Sequence, residues 1–229
     1  GGCTQSIPLC GDFKVFNKGK LIVSNSYLNG LPEGEQITKD DKGNLVNKYI
    51  YNNGGLIYSK FLSKDESSYV ELDGQLFSKG FAKRQYTLDN RLVFELKMIG
   101  NSNSICKVYH ENGSLAREFK AGLLADLKNG YYKEYYQNGN LRLDGEYSDK
   151  YWNHKIGTWT FKNNDGTVDA IEKYKIEEVL WENGEVKLLK SFIFDNETKV
   201  WSKHGVWEYY NKDGVREKKV NYIWDTIEE

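Results

Sequence analysis

Gly205-Val-Trp-Glu-Tyr-Tyr-Asn-Lys-Asp-Gly214 has two relatives in the same chain, Gly157-Thr-Trp-Thr-Phe-Lys-Asn-Asn-Asp-Gly166 and Gly130-Tyr-Tyr-Lys-Glu-Tyr-Tyr-Gln-Asn-Gly139. A Gly opens each window and another closes it. An aromatic stands two residues after the first Gly (Tyr132, Trp159, Trp207), and Asn or Asp precedes the last (Asn138, Asp165, Asp213). Residues two apart share a strand face, which puts Trp159 with Phe161 and Trp207 with Tyr209. Asn-Gly and Asp-Gly are tight-hairpin signals, read here as turns with positive φ at their central residues. A Gly-x-Leu or Gly-x-Val step follows Gly19, Gly43, Gly54, Gly74, Gly113, Gly139, Gly166 and Gly184; Asp89-Asn-Arg-Leu92 is a variant with Asn in the Gly position. The unit is strand, turn, strand. So many copies with the same following residue make a tandem array rather than scattered surface turns.

The expected fold is therefore all-β, an elongated antiparallel sheet of tandem β-hairpins in which each unit contacts its neighbours. Residues 1–10 read as a leader or tether, 11–224 as one repeat domain, and 225–229 as a C-terminal tail. Gly100-Asn-Ser-Asn-Ser104 is the most linker-like run, where a break would fall. Residues 31–44, polar and rich in turn formers, read as a loop between units. Leu115, Phe119, Leu123 and Leu127 recur every four residues, a helical spacing. The repeat favours strand for the first part and leaves a short helical turn open at Leu123–Leu127.

Composition agrees with a thin core. The chain of 229 residues has 17 Tyr and 6 Trp but 2 Pro, and these amphipathic rings can cover a partly solvated sheet. Mean hydropathy is −0.70, yet a sequence this aromatic is not of the disordered class. Thirty-two Lys and Arg balance 33 Asp and Glu, with the signs interspersed. No basic block exists to neutralise phosphates, which argues against nucleic acid. No apolar run approaches the roughly 20 residues of a transmembrane helix. The sequence opens Gly1-Gly2-Cys3 without Met. A small residue before Cys resembles the lipidation site of bacterial lipoproteins, making Cys3 a candidate lipid attachment point and the cell envelope a candidate location. The alternative is that Gly1-Gly2 are cloning residues and the protein is cytoplasmic. Cys3, Cys10 and Cys106 have neither disulfide-framework nor zinc spacing.

Chemistry is sparse at this level. His110, His154 and His204 lie in polar or turn segments without metal-ligand spacing and read as solvated turn residues. There is no nucleophile elbow and no phosphate loop. Carboxylates such as Glu177-Glu178 read as exposed sheet faces, although a catalytic pair formed between distant strands stays open. No catalytic, cofactor or metal site is assigned, and enzyme activity is not expected. Tyr132, Trp159, Phe161, Trp207 and Tyr209 read as the core stripe, with Trp159 and Trp207 buried on the same face. Tyr135-Tyr136 and Tyr209-Tyr210 place neighbouring aromatics on opposite faces. Tyr135, Tyr136 and Tyr210 are therefore the candidate anchors for a protein partner or a glycan.

The pattern Gly-x-Trp-x-[Phe/Tyr]-Tyr-x-x-Asp-Gly resembles the MORN-repeat-variant family of bacterial proteins, strongly at 130–147, 157–174 and 205–222 and weakly before 105. It departs from the family at Glu134, where an aromatic is usual, and at Lys162, where Tyr is usual. The resemblance implies hairpins laid side by side in a long twisted sheet, and a scaffold or accessory role. Members are often labelled antitoxin components of toxin–antitoxin systems. The expected function is a non-enzymatic protein–protein interaction module, with toxin neutralisation in the cytoplasm and surface carbohydrate binding as alternatives.

Overall fold

A computed structural model of the chain describes residues 9–63, 67–74, 79–122, 125 and 127–228. Among these the fold is all-β: twenty strands and no helix, every pairing antiparallel. The strands divide into two compact units, Gly1–Gly113 and Ser114–Glu229. The first holds β1 (Gly11–Asn17), β2 (Lys20–Leu28), β3 (Leu31–Pro32), β4 (Gly34–Lys39), β5 (Leu45–Asn52), β6 (Gly55–Leu62), β7 (Ser68–Asp73), β8 (Ala82–Thr87), β9 (Leu92–Met98) and β10 (Ser104–Tyr109). The second holds β11 (Leu115–Ala121), β12 (Lys128–Tyr135), β13 (Leu141–Tyr147), β14 (Lys155–Lys162), β15 (Val168–Leu180), β16 (Val186–Phe194), β17 (Trp201–Lys203), β18 (Gly205–Tyr210), β19 (Arg216–Ile223) and β20 (Thr226–Ile227).

Gly100–Ser104 lies around the turn between β9 and β10, where the Ile99 N–H donates to Asn103 O. Residues from 225 complete a tight turn and enter β20. Leu115–Ala121 is strand, as the repeat requires; of the stretch left open to a helical turn, Leu123, Leu124 and Asp126 lie outside the described residues.

The turns follow one plan, which differs in detail from the sequence expectation. Gly139 N–H donates to Tyr136 O, and Tyr136 N–H donates to Asn140 O; Asn163–Thr167 and Asn211–Val215 repeat both bonds. Only the closing Gly has positive φ: 89° at Gly139, 88° at Gly166 and 73° at Gly214. Asn138, Asp165 and Asp213 do not. These are type I turns followed by a left-handed Gly, and the strand register slips by a residue beside each one. Turns with two positive-φ residues occur instead at Lys18-Gly19, Asn29-Gly30 and Asn53-Gly54. Asn90, at φ 63°, takes the Gly position in the turn after Thr87, as the sequence variant implied. A Val at Gly139, Gly166 or Gly214 should cost about 1 kcal/mol or more, because a β-branched side chain is strained there. Urea unfolding of each variant measures it, and an unchanged midpoint would contradict the turn assignment.

Neighbouring turns are also stapled side to side. The residue after the left-handed position donates its side chain to the second residue of the next turn: Arg91 to Glu111 O in the first unit, Ser114 to Gln137 O and Asn140 to Asn164 O in the second. These bonds satisfy turn carbonyls that no strand partner reaches.

Residues 31–44, expected as a loop, contain β4. Gly34 pairs with Tyr51, and Gln36, two residues on, is buried and donates Nε2 to Ser26 O. This matches Trp159 and Trp207, whose indole N–H groups donate to Glu146 O and Ser191 O at 3.2 and 2.9 Å. Gln supplies the same donor in place of Trp, so the strand is real although its sequence is polar.

The first unit carries a row of alternating charge across its sheet. Lys60, Glu71, Arg84 and Glu95 are successive cross-strand partners. Arg84 Nε lies 3.0 Å from Glu95 Oε1, and the hydroxyls of Tyr58 and Tyr86 both donate to Glu71. Burial pushes the Glu71 carboxyl up, but these hydroxyls and Arg84 outweigh it and hold it below the usual range.

In the second unit the aromatic stripe changes face, which corrects the expectation that Trp159 and Trp207 share one. Phe119, Tyr132, Tyr147, Trp159 and Tyr174 form a continuous ladder, with successive ring centroids 5.0 to 6.2 Å apart. The register carries that face through the pairs Tyr174–Ile193, Ile176–Ser191 and Glu178–Leu189 to Glu208, opposite Leu189. Trp207, next to Glu208, points the other way. There it packs with Phe192 and Tyr222, at 5.5 and 5.0 Å. The crossing from Tyr132 to Trp159 includes a register shift beside Gly145, which returns the stripe to one face. In the β15–β16 pairing the register shift comes only beside the turn, between Val179 and Leu180, so from Tyr174 to Glu178 the alternation is unbroken and Trp207 falls on the opposite side.

Candidate functional site

The repeat builds its own aromatic supports. Each opening Gly faces an aromatic across the ladder: Gly130 opposite Tyr147, Gly157 opposite Tyr174, Gly205 opposite Tyr222. The aromatic two residues after each Gly packs on that ring. Tyr132, Trp159 and Trp207 are buried, whereas Phe161 and Tyr209 are half-buried. The core stripe is therefore present, divided between two faces.

On the Trp159 face the ladder ends at a cleft of about 180 Å³ lined by Tyr147, Asn153, His154, Lys155, Tyr174, Ser191, His204, Gly205 and Val206. Lys155 opens β14, and its Nζ sits 4.4 and 4.7 Å from the ring centroids of Trp159 and Tyr174. It donates to the Tyr174 hydroxyl at 3.2 Å, while that hydroxyl donates to Glu172. Among the described residues no carboxylate lies within ion-pair distance of Lys155. Burial pulls its pKa down, opposed by the more distant Glu172 and Glu134. Burial also lowers His204, helped by Lys155, and its Nδ1 is buried without a hydrogen-bond partner. Tyr147 is pushed up to about 12 by burial and by Glu134.

One wall of the cleft is a buried polar series. His154 Nδ1 lies 2.8 Å from Ser191 Oγ, and its Nε2 lies 3.7 Å from Glu208 Oε2. Glu208 also accepts from Tyr210 and pairs with Arg216. Burial raises Glu208, but Tyr210, Arg216 and His154 outweigh it and hold the carboxyl low. Burial lowers His154 against the pull of Glu208, favouring the neutral ring. The residue types are those of a nucleophile relay. Ser191, however, lies within β16 rather than on a strained turn, and Glu208 already has two closer partners. The series clamps the segment before β14 onto β16, assisted by Ser148 N–H donating to His154 O.

His154 is thus buried, not the solvated turn residue expected, and His204 is half-buried in the cleft wall. Neither was legible as a site member, because 154–155, 191 and 204–208 are three separate segments that only strand pairing assembles. The signal available was polarity at strand positions otherwise reserved for core: Ser191 lies between the buried Leu189 and Ile193.

The tyrosines named from sequence lie at hairpin ends. Tyr135 pairs with Leu141, and Tyr136 begins its turn, with its hydroxyl donating to Lys162 O at 2.7 Å. Tyr210 pairs with Arg216, at the equivalent end of β18. All three are half-buried. The structure places Tyr135 and Tyr136 on one hairpin and Tyr210 on another, all outside the cleft lining. Cys3 lies outside the described residues; Cys10 and Cys106 are free thiols. No group of three metal-ligating side chains occurs among the described residues.

A 96-residue stretch is 30% identical to Tiger protein B1 of Dictyostelium discoideum, covering 41% of this chain and 11% of that protein. The chain therefore spans only a small part of that relative's length. Among solved structures, a porin-like protein from Bacteroides uniformis aligns over 95% of this chain and 94% of its own, at 12% identity and a TM-score of 0.19. The TcdB2-TccC3-Cdc42 structure aligns over 87% of this chain and 14% of its own, at 12% identity and a TM-score of 0.15. Similarities this low carry no argument. Residues 128–149 and 203–223 match the family model of the MORN repeat variant, and these are the β12–β13 and β18–β19 hairpins whose Gly–aromatic geometry is described above. Two hairpins of this chain are therefore similar to the MORN repeat variant.

Proposed function

We propose that the protein is a non-enzymatic interaction module that binds a protein partner through the second unit. The observation that supports this best is the pair of MORN-variant hairpins, each ending in tyrosines at its turn. Tyr135, Tyr136 and Tyr210 are half-buried beside polar turn groups, and such aromatics are favoured as interface anchors because a rigid ring loses little entropy on binding. Balanced charge removes long-range steering towards a polyanion and leaves short-range contact to select the partner. Cys3 as a lipid attachment point would set this module at the cell envelope; without that lipid the setting is cytoplasmic, where toxin neutralisation is the alternative role.

The test is quantitative capture of a partner from cells of the source organism. Replacing Tyr135, Tyr136 and Tyr210 together with Ala should weaken capture by about a hundredfold or more, since anchor residues cost about 1–2 kcal/mol or more each. Undiminished capture would refute these anchors. A reproducible turnover abolished by one Asp or Glu substitution would refute the non-enzymatic reading.

A further inference from the structure

The cleft beside Trp159 has the attributes of a small-ligand site. It holds one cation, Lys155, half-buried over two aromatic rings with no carboxylate within ion-pair distance among the described residues. It also holds an unused polar atom, His204 Nδ1. A partly desolvated charge without a close counter-charge and a buried ring nitrogen without a partner both cost free energy that a bound ligand can recover.

A third feature, Trp224, adjoins the cleft lining through His204. The His204 ring lies between Tyr174, at 6.0 Å, and Trp224, at 5.9 Å. Trp224 is 50% exposed and has φ 46°, an uncommon conformation for a bulky side chain. Asp225 holds this turn in place: its N–H donates to Lys203 O and its carboxylate accepts from the Lys203 N–H, at 2.9 and 2.8 Å. An exposed indole held on a fixed turn is a stacking surface for a ring. The volume, about 180 Å³, suits one small ring compound.

We propose that this cleft binds an acidic sugar residue, its carboxylate on Lys155 Nζ and His204 Nδ1–H and its pyranose ring against Trp224. A carboxylate fits better than phosphate because the cleft offers one full positive charge, and its other polar side chains are hydroxyls, neutral histidines and the Asn153 amide. Glu172 and Glu134, the carboxylates that act on Lys155 from a distance, are engaged by Tyr174 and by Tyr132 and Arg142, so neither neutralises Lys155 directly.

Titration calorimetry of the full chain with glucuronate, glucose, acetate and inorganic phosphate tests the proposal. Glucuronate should bind saturably and about tenfold tighter than glucose, the worth of one charge-assisted hydrogen bond. Lys155→Gln should remove that preference and Lys155→Arg should keep much of it. Trp224→Ala should weaken glucuronate about fivefold and leave acetate unchanged, as loss of a stacking surface does. Thermal melts confirm that each variant is folded; if Lys155→Gln is not, His204→Gln should lower the glucuronate preference in its place. Absent glucuronate binding, equal binding of glucose, tighter binding of phosphate, or glucuronate binding untouched by the folded Lys155 or His204 variant would each overturn the assignment.

Discussion

Trp159→Ala should lower the stability of the second unit by about 4 kcal/mol, the range found when a buried Trp is truncated. Trp159 is 1% exposed and is the largest of the fully buried side chains. Its indole touches Tyr132, Tyr147 and Tyr174, at ring separations of 5.7, 5.0 and 6.2 Å. The alanine would open a void in the middle of the ladder, leave Glu146 O without its donor, and remove one ring beneath Lys155. Collapse cannot close the gap, because each neighbouring ring stands on its own strand at fixed spacing. Trp207→Ala should cost on the order of 3 kcal/mol, since its cluster with Val220, Tyr222 and Phe192 is smaller and lies on the other face. Chemical denaturation of both variants measures the difference. A Trp159→Ala cost below about 1 kcal/mol would show that the ladder does not carry the fold of this unit.

Gly145→Ala should be nearly as damaging, by about 3 kcal/mol, through overpacking rather than backbone strain. A Cβ at 145 would stand 2.2 Å from Trp159 Cδ2 and 2.5 Å from Cε2. Gly145 is not at positive φ, so the backbone itself admits alanine. The indole cannot retreat, being enclosed by rings and tied to Glu146 O. The two substitutions should therefore be strongly coupled. In the Trp159→Ala background the cost of Gly145→Ala should fall close to zero, and the double-mutant cycle should give an interaction energy of about 3 kcal/mol. Additive costs would mean that Gly145 serves some purpose other than close approach.

Much of the repeat was legible because its physics is local. Positive φ at Gly139, Gly166 and Gly214, the substitution of Asn90 for Gly, and the burial of Tyr132, Trp159 and Trp207 each follow from a few consecutive residues. The turn type was less legible, since type I′ and type I plus a bulge both favour Gly in the closing position. That difference of one residue matters: a register shift at a single place decides which face every later side chain takes. The polar strand β4 was missed because Gln36 performs by hydrogen bonding what Trp performs elsewhere by both hydrogen bonding and apolar burial.

By itself, the sequence determined the architecture of this protein: hairpins in tandem, antiparallel throughout, each built on a Gly, an aromatic and a tight turn. These are short-range requirements of backbone geometry and strand alternation, repeated often enough to be unambiguous. Only the tertiary structure decided that Trp159 and Trp207 lie on opposite faces, that Gly145 is the floor beneath an indole, and that Lys155, His154, Ser191 and His204 share one cleft. Those facts depend on the register accumulated across several strands, and on residues 37 to 50 positions apart meeting through hydrogen-bonded ladders. No local pattern in the chain encodes such sums, whereas a paired sheet fixes them one strand at a time.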